Sequence, residues 1–445
     1  MEGPGVGDSQ DDWQAARLLP TVGLRNEQEK EQRATSSLLA VMFAVPEFTY
    51  GLTSELGAPK GQISTFIEIQ LRDRENKRCI PDGAIIIKRG SRQWRCLVEV
   101  KTGQASLKAD QVSRYLDWAR DNDFDAVLTI SNEITAKATD SPVSVDGRKL
   151  KKVSLFHFSW WRILTEAIVQ HRHRGVNDPD QAWILGELIA YLDHDKSGAS
   201  GFQGMGDQWV GVRTATANGT LRKGDPGIQD VAERWSQFID YMAMGLGQEL
   251  GRDVTPVRPR KLAAEVRLEQ SVKQLVEDGV LNAALKVPDA VGSLHVDADL
   301  RTKKVTTSVD VEAPREGRPK TRINWLLRQL KHVEMELRVD VRFANTRETA
   351  STMLAEAIEY PELLLSQTDP KRDPRTFKIA LTRKMGSKRG KEEGSFARET
   401  RQQAIDFYRD VVQDLRDWQA PAPKLPTPIE DVQQSQVETT APPLA

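Results

Sequence analysis

Cysteine is nearly absent from this chain: Cys79 and Cys96 are its two representatives in 445 residues. That excludes a disulfide framework. In the strand pairing argued below the two stand several residues out of register, which disfavours a bridge. Two reduced thiols in a cytoplasmic protein are expected. Histidine is also sparse, six residues scattered along the chain, with neither an HNH pattern nor a zinc-site spacing. His171-Arg172-His173 reads as a solvated helix end. No run of about 18 apolar residues exists, so no transmembrane helix is expected. Charge of one sign is lacking too: 63 Lys and Arg face 64 Asp and Glu. A basic field over the whole protein is excluded, and any contact with nucleic acid must come from local clusters. No Walker-type phosphate loop occurs, so no built-in ATPase is expected. The opening MEGPGVGDSQDDWQ is polar and acidic, and no secretory signal is expected there. No internal repeat is visible.

What is present is enough apolar residue, 39% of the chain, to build two or three domains. Residues 1–22 read as a disordered arm. A helix is expected from about Asn26 to Val45, capped by Asn26, ended by Pro46, with Ala34, Leu38, Val41, Met42 and Val45 on its apolar stripe. Strands are expected over 65–71, 81–87 and 94–101, the last two joined by a turn centred near Gly90–Ser91. A helical pattern spans 107–120, strands follow over 124–130 and 153–158, Ser159 caps another helix, and a further helix runs over 181–192. A hairpin followed by a helical crossover implies a mixed sheet with helices on both faces. The Gly/Ser-rich stretch 196–206 marks a boundary. Beyond it, 207–290 reads as mainly helical. An α+β region follows over 291–418, with strands over 291–312, 333–343 and 377–381 and helices over 323–330, 349–358 and 396–418. Residues 419–445 form a Pro-, Thr- and Gln-rich tail expected to be disordered.

The chemistry sits on the hairpin. Its turn places Asp82 opposite Glu99, and strand alternation puts Glu99 and Lys101 on one face. Two carboxylates on neighbouring strands repel, so stability alone does not select them. A divalent cation resolves the conflict, and hard oxygen ligands suit Mg²⁺ or Mn²⁺. Pro81-Asp82, followed after sixteen residues by Glu99-Val100-Lys101, resembles the PD-(D/E)xK nuclease superfamily. The order of elements over about 22–195 matches its core. The resemblance implies a restriction endonuclease-like domain over 23–200 with Asp82, Glu99 and Lys101 catalytic and Asp82 and Glu99 holding metal. It also implies an acidic metal ligand on the first helix. Glu27, Glu29 and Glu31 compete, and Glu31 follows the stripe of Ala34 and Leu38 toward the sheet. Gln111 and Tyr115, four apart on one helical face, resemble the Gln-x-x-x-Tyr feature of RecB-like branches and are implied to position substrate.

The expected activity is metal-dependent hydrolysis of phosphodiester bonds in nucleic acid, with DNA the expected substrate and RNA a further reading that the residues do not distinguish. The rival reading is an inactive nuclease-like binding or scaffold protein. The second half would supply substrate binding, a protein-partner surface or self-association. Two basic stretches there, Arg315 to Arg322 and Lys371 to Lys391, are each compatible with phosphate contact or with a solvated surface. Glu68 reads as a surface residue.

Overall fold

The computed structural model describes residues 17–20 and 26–420, apart from 104, 136, 200, 203, 260, 261 and 391. The first helix, α1 (Glu27–Ala44), starts where its cap predicts: Asn26 accepts the Glu29 backbone N–H. Its stripe of Ala34, Leu38, Val41, Met42 and Val45 is buried throughout. Pro46 ends α1 and, at the first position where its missing N–H costs nothing, also starts α2 (Pro46–Thr53). Strand β1 (Gln62–Ile67) stops earlier than its composition suggests. Glu68 takes a left-handed backbone (φ 48), and the chain turns into a small hairpin of β2 (Leu71–Arg72) and β3 (Arg78–Cys79). The expected 65–71 strand is therefore two pieces.

Strands β4 (Gly83–Arg89) and β5 (Arg92–Val100) pair as expected around Gly90–Ser91. Helix α3 (Ala109–Asp121) crosses over to β6 (Ala126–Ser131), and β7 (Ser154–Ser159) follows. The sheet order is β1-β4-β5-β6-β7, antiparallel over the first three strands and parallel over the last three. Helices α1, α4 (Trp160–Val169) and α5 (Pro179–Asp193) cover one face, where Ile85, Ile87, Val98 and Val100 point. Helix α3 covers the other over Ala84, Leu97 and Val127. This is the expected α/β architecture, a mixed sheet between helices. Both cysteines are buried and free.

After α6 (Trp209–Ala217) and the long α7 (Ile228–Leu250) come β8 (Thr255–Pro256), α8 (Ala264–Asp278) and β9 (Val280–Lys286). Residues 280–286 correct the helical expectation. Gly279, at φ 71, terminates α8, and the next residues pair with β10 (Leu294–Asp299). β11 (Lys304–Glu312), α9 (Pro319–Gln329) and β12 (Leu337–Phe343) follow. Residues 349–358 prove to be a strand, β13 (Thr349–Met353), before a short helix, α10 (Leu354–Glu359). The Thr-Ala-Ser-Thr run favours an edge strand against β12. β14 (Pro374–Lys384) completes an antiparallel sheet ordered β13-β12-β14-β11-β10-β9-β8, and α11 (Phe396–Asp410) is shorter than expected.

The expected break at 196–206 is packed rather than loose where it is described. Phe202 lies 5.2 Å from Phe238 between ring centroids, and Met205 is fully buried. The two halves join through α4 and α7: Trp161 and Tyr241 are 4.6 Å apart, and Gln248 donates to the Thr165 hydroxyl at 2.8 Å. Part of the predicted arm is also held. Arg17 and the Leu18 N–H both bind Glu187, and Arg33 donates to the Pro20 carbonyl. Residues 1–16, 21–25 and 421–445, most of the predicted arm and tail, lie outside the described residues. Among the described residues no helix is long and apolar enough to cross a membrane.

Candidate active site

The site forms where β4, β5, α1 and α3 meet. Pairing of Gly83 with Val98 sets Asp82 across from Glu99. Gly83 is required here: a Cβ would lie 2.5 Å from the Leu39 side chain and 2.9 Å from the Phe66 carbonyl oxygen. Its absence lets α1 and β1 close around Asp82. Asp82 accepts the Val100 N–H at 2.8 Å, and its own N–H donates to the Tyr115 hydroxyl at 3.2 Å. Lys101 is pinned through its backbone, donating to Ile130 at 2.8 Å and accepting Trp160 Nε1 at 2.9 Å.

Glu99 is the buried member of the set, 1% exposed. One carboxylate oxygen meets Lys101 Nζ at 2.7 Å and accepts from Gln111 Nε2. The other, Oε2, is buried with no hydrogen-bond partner. Lys101 Nζ also reaches Glu31 at 3.1 Å and the Val100 carbonyl at 2.9 Å. Of the three acidic candidates on α1, Glu31 is the one in the site, while Glu27 pairs with Lys30 and Glu29 takes part in the cap. Glu31 and Asp82 line a cavity of about 110 Å³ together with Ile67 and Glu68. Glu68 is exposed, as its sequence reading expects, and also stands on the wall of this cavity. Its signal was present but ambiguous, because alternation from Phe66 aims it toward Asp82 only if the strand continues.

The charges are strongly coupled. Burial first, and then the Glu99 carboxylate, push the Asp82 pKa up to about 7. Burial raises Glu31 despite Lys101. For Lys101 burial acts downward, but Glu99, Glu31 and Asp82 outweigh it and the ammonium is held more firmly than usual. Burial, then Glu99 and Asp82, raise the Tyr115 hydroxyl. Tyr115 is 3% exposed, packed 5.1 Å from Trp118. Gln111, half-buried, therefore holds the Glu99 carboxylate, and the buried Tyr115 holds the Asp82 backbone.

Sequence reading missed the continuation of this row. Glu99 pairs with Thr129, and Thr129 with His157, both fully buried. The Thr129 hydroxyl and His157 Nδ1 are 3.0 Å apart, and Nε2 meets the Glu133 carbonyl at 2.8 Å. Burial drops the His157 pKa to about 4. It is a neutral, satisfied core histidine.

Among the described residues no three His, Cys, Asp or Glu side chains are arranged to hold a metal ion. Lys101 stands between Glu31 and Glu99, so the three carboxylates expected as ligands do not converge. The basic stretches of the second half are ion-paired in part: Arg315 with Glu312, Lys320 with Glu362, Arg322 with Asp373, Arg372 with Glu348, Arg383 with Asp406 and Arg389 with Asp207. No protein-family model matches the chain, and no curated protein matches it either.

Proposed function

We propose that the chain is a divalent-metal-dependent nuclease with a PD-(D/E)xK, restriction endonuclease-like core, hydrolysing phosphodiester bonds of nucleic acid, with DNA the proposed substrate and RNA the alternative. The observation that carries this reading is the buried Glu99 carboxylate beside Asp82, with one oxygen unpartnered. Lys101 and Gln111 satisfy one oxygen of Glu99, but a buried carboxylate oxygen left without a hydrogen bond is costly, and a second carboxylate next to it raises that cost. Hard oxygen donors in this state suit Mg²⁺ or Mn²⁺, which takes one or two carboxylates and fills its remaining positions with water and phosphate oxygens. Held by Asp82 and Glu99, such an ion supplies charge neutralisation at the scissile phosphate. Glu31 is left as a partner of Lys101 and as an outer ligand at most.

The remaining work falls to the chain itself. Lys101 presents a firmly protonated ammonium beside Glu99, able to stabilise negative charge developing on a phosphate oxygen. Glu31 holds that ammonium from the opposite side. Gln111 fixes the orientation of Glu99, and Tyr115 fixes the backbone of Asp82.

Gln111→Ala should bind Mn²⁺ about as well as the parent and cleave at least about tenfold more slowly, some 1.4 kcal/mol in the barrier. Tyr115→Phe should slow cleavage similarly. It should also cost about 1 kcal/mol of stability, because the Asp82 N–H loses its acceptor. Cleavage and melting measured together check both, and full activity in both variants would remove their assigned roles.

The reading is tested by incubating the protein in Mg²⁺ or Mn²⁺ with linear, circular, single-stranded and branched DNA and with RNA, each with a chelator control. Metal-dependent cleavage of at least one substrate supports it. The missing three-ligand group is the observation favouring the rival, an inactive binding or scaffold protein. Nucleic-acid binding without cleavage of any substrate would establish that rival.

A further inference from the structure

One edge of the second sheet is left open. Strand β8 ends the strand order and pairs with β9 through Thr255–Lys286 and Pro256–Leu285, with one further bond from the Val257 N–H to the Ala284 carbonyl at 2.7 Å. The chain then leaves the edge. Arg258 is held by both carboxylate oxygens of the buried Asp240 on α7, at 2.7 and 2.8 Å, and Pro259 has no N–H with which to continue a ladder. Backbone groups alternate in direction along a strand, so Asn282 faces the same edge as Ala284. Its carbonyl is met by Trp235 Nε1 at 3.3 Å. Its N–H meets no acceptor among the described residues. Over residues 280–283, no strand among the described residues lies beyond β9 on this side.

A cavity of about 550 Å³ lies there, between β9, α7, α8 and the β6–β7 connection. An open sheet edge on the wall of a cavity suits an added strand: main-chain bonds supply affinity, and alternate side chains meet the walls. The charge of the walls selects the strand. Asp140 of the first half, Glu233 on α7 and Glu265 in the first turn of α8 all line the cavity. None of the three has a cationic partner among the described residues. Asp240 neutralises Arg258, which leaves Arg267 as the lining cation without an acidic partner among the described residues. Three carboxylates against one guanidinium repel a phosphate chain and attract lysine or arginine. The stems of those side chains have apolar wall to lie on, including Val257, 51% exposed, and Leu268. The chain's own residues 421–445 carry Lys424 against Glu430, Asp431 and Glu438, the wrong charge for this groove.

We propose that this groove docks a partner protein, which adds an extended basic segment to the open edge of β9. The proposal uses neither Asp82 nor Glu99 and stands apart from the nuclease reading. Fluorescence anisotropy of the full chain with a labelled octapeptide of alternating Lys and Val provides the test. One control carries Glu in place of Lys. Two others are N-methylated, one at every Lys and one at every Val, so that each has a single backbone edge unable to donate. The Lys–Val peptide should bind at least about tenfold more tightly than the Glu–Val peptide. One methylated version should lose that binding and the other keep it, because an added strand pairs through one edge. Hydrogen exchange over residues 280–284 should slow when the peptide is bound. Asp140→Lys and Glu265→Lys should each weaken binding about three- to tenfold. Both positions are exposed, so these variants should melt like the parent. No binding up to about millimolar peptide, equal behaviour of the two methylated versions, or unchanged exchange over 280–284 would each overturn the docking site. So would charge-reversed variants that bind like the parent.

Discussion

Lys101→Ala should lower metal-dependent cleavage about 10²- to 10³-fold while increasing the response of the fold to metal. The side chain is 14% exposed and bridges two carboxylates, Glu99 at 2.7 Å and Glu31 at 3.1 Å. Lys101 is therefore an ion-paired member of the core as well as a candidate catalytic group. Taking one member from a buried ion pair leaves the others uncompensated. The metal-free variant should therefore melt below the parent. A divalent cation would then be the remaining countercharge, so Mn²⁺ should raise the melting temperature more in the variant than in the wild type. Lost turnover together with an enlarged metal response separates a chemical role for the ammonium from a ligand role. Retained turnover would remove Lys101 from the site, and a Mn²⁺ response smaller than the parent's would remove its role in balancing the carboxylates.

Asp82→Asn should stabilise the metal-free protein at pH 8 and do nothing for its stability near pH 3. The sign follows from the proton count. Folding raises the Asp82 pKa from 3.8 to about 7, by burial and by Glu99. Between those values the folded chain holds a proton that the unfolded chain has released, so stability falls as pH rises through the window. Below it the group is protonated in both states and contributes nothing. Asparagine cannot ionise, and its oxygen can still accept the Val100 N–H. The gain should appear as a rise in Tm, about 2–4 °C for each kcal/mol in a domain of this size, growing from pH 4 to pH 8. An unchanged or lower Tm at pH 8, or a gain that persists at pH 3, would contradict the coupling. The same variant should lose cleavage, the expected trade between a strained site and a stable fold.

Much of this site was legible because strand alternation and one turn fix it. Gly90 takes φ 60 in the hairpin turn, and counting back from it gives the Gly83–Val98 pairing and hence Asp82 against Glu99. Asn26 and the stripe from Ala34 to Val45 likewise define α1, and with it the approach of Glu31. Other features rest on tertiary placement. Val280 to Lys286 contains good helix formers, but Gly279 stops the helix and β10 offers a ladder, so pairing overrides local preference. Glu68 leaves the strand because the chain must turn into the β2–β3 hairpin, which no period in the sequence announces. Whether the basic residues from Arg315 to Arg389 were free for phosphate depended on partners distant in sequence, such as Asp207 for Arg389. That Gln111 reaches Glu99 and Tyr115 the Asp82 backbone depended on how deeply α3 sits on the sheet.

The central claim is that Asp82 and Glu99 together take a divalent cation. Calorimetric titration of Mn²⁺ into the metal-free chain at pH 6, below the raised Asp82 pKa, beside Asp82→Ala, tests it most directly. The account predicts saturable binding by the wild type, release of protons because Asp82 must ionise to bind, and loss of both signals in the variant. No binding by the wild type up to about millimolar Mn²⁺, the weak limit of specific sites for hard cations, or equal binding by the variant, would contradict it.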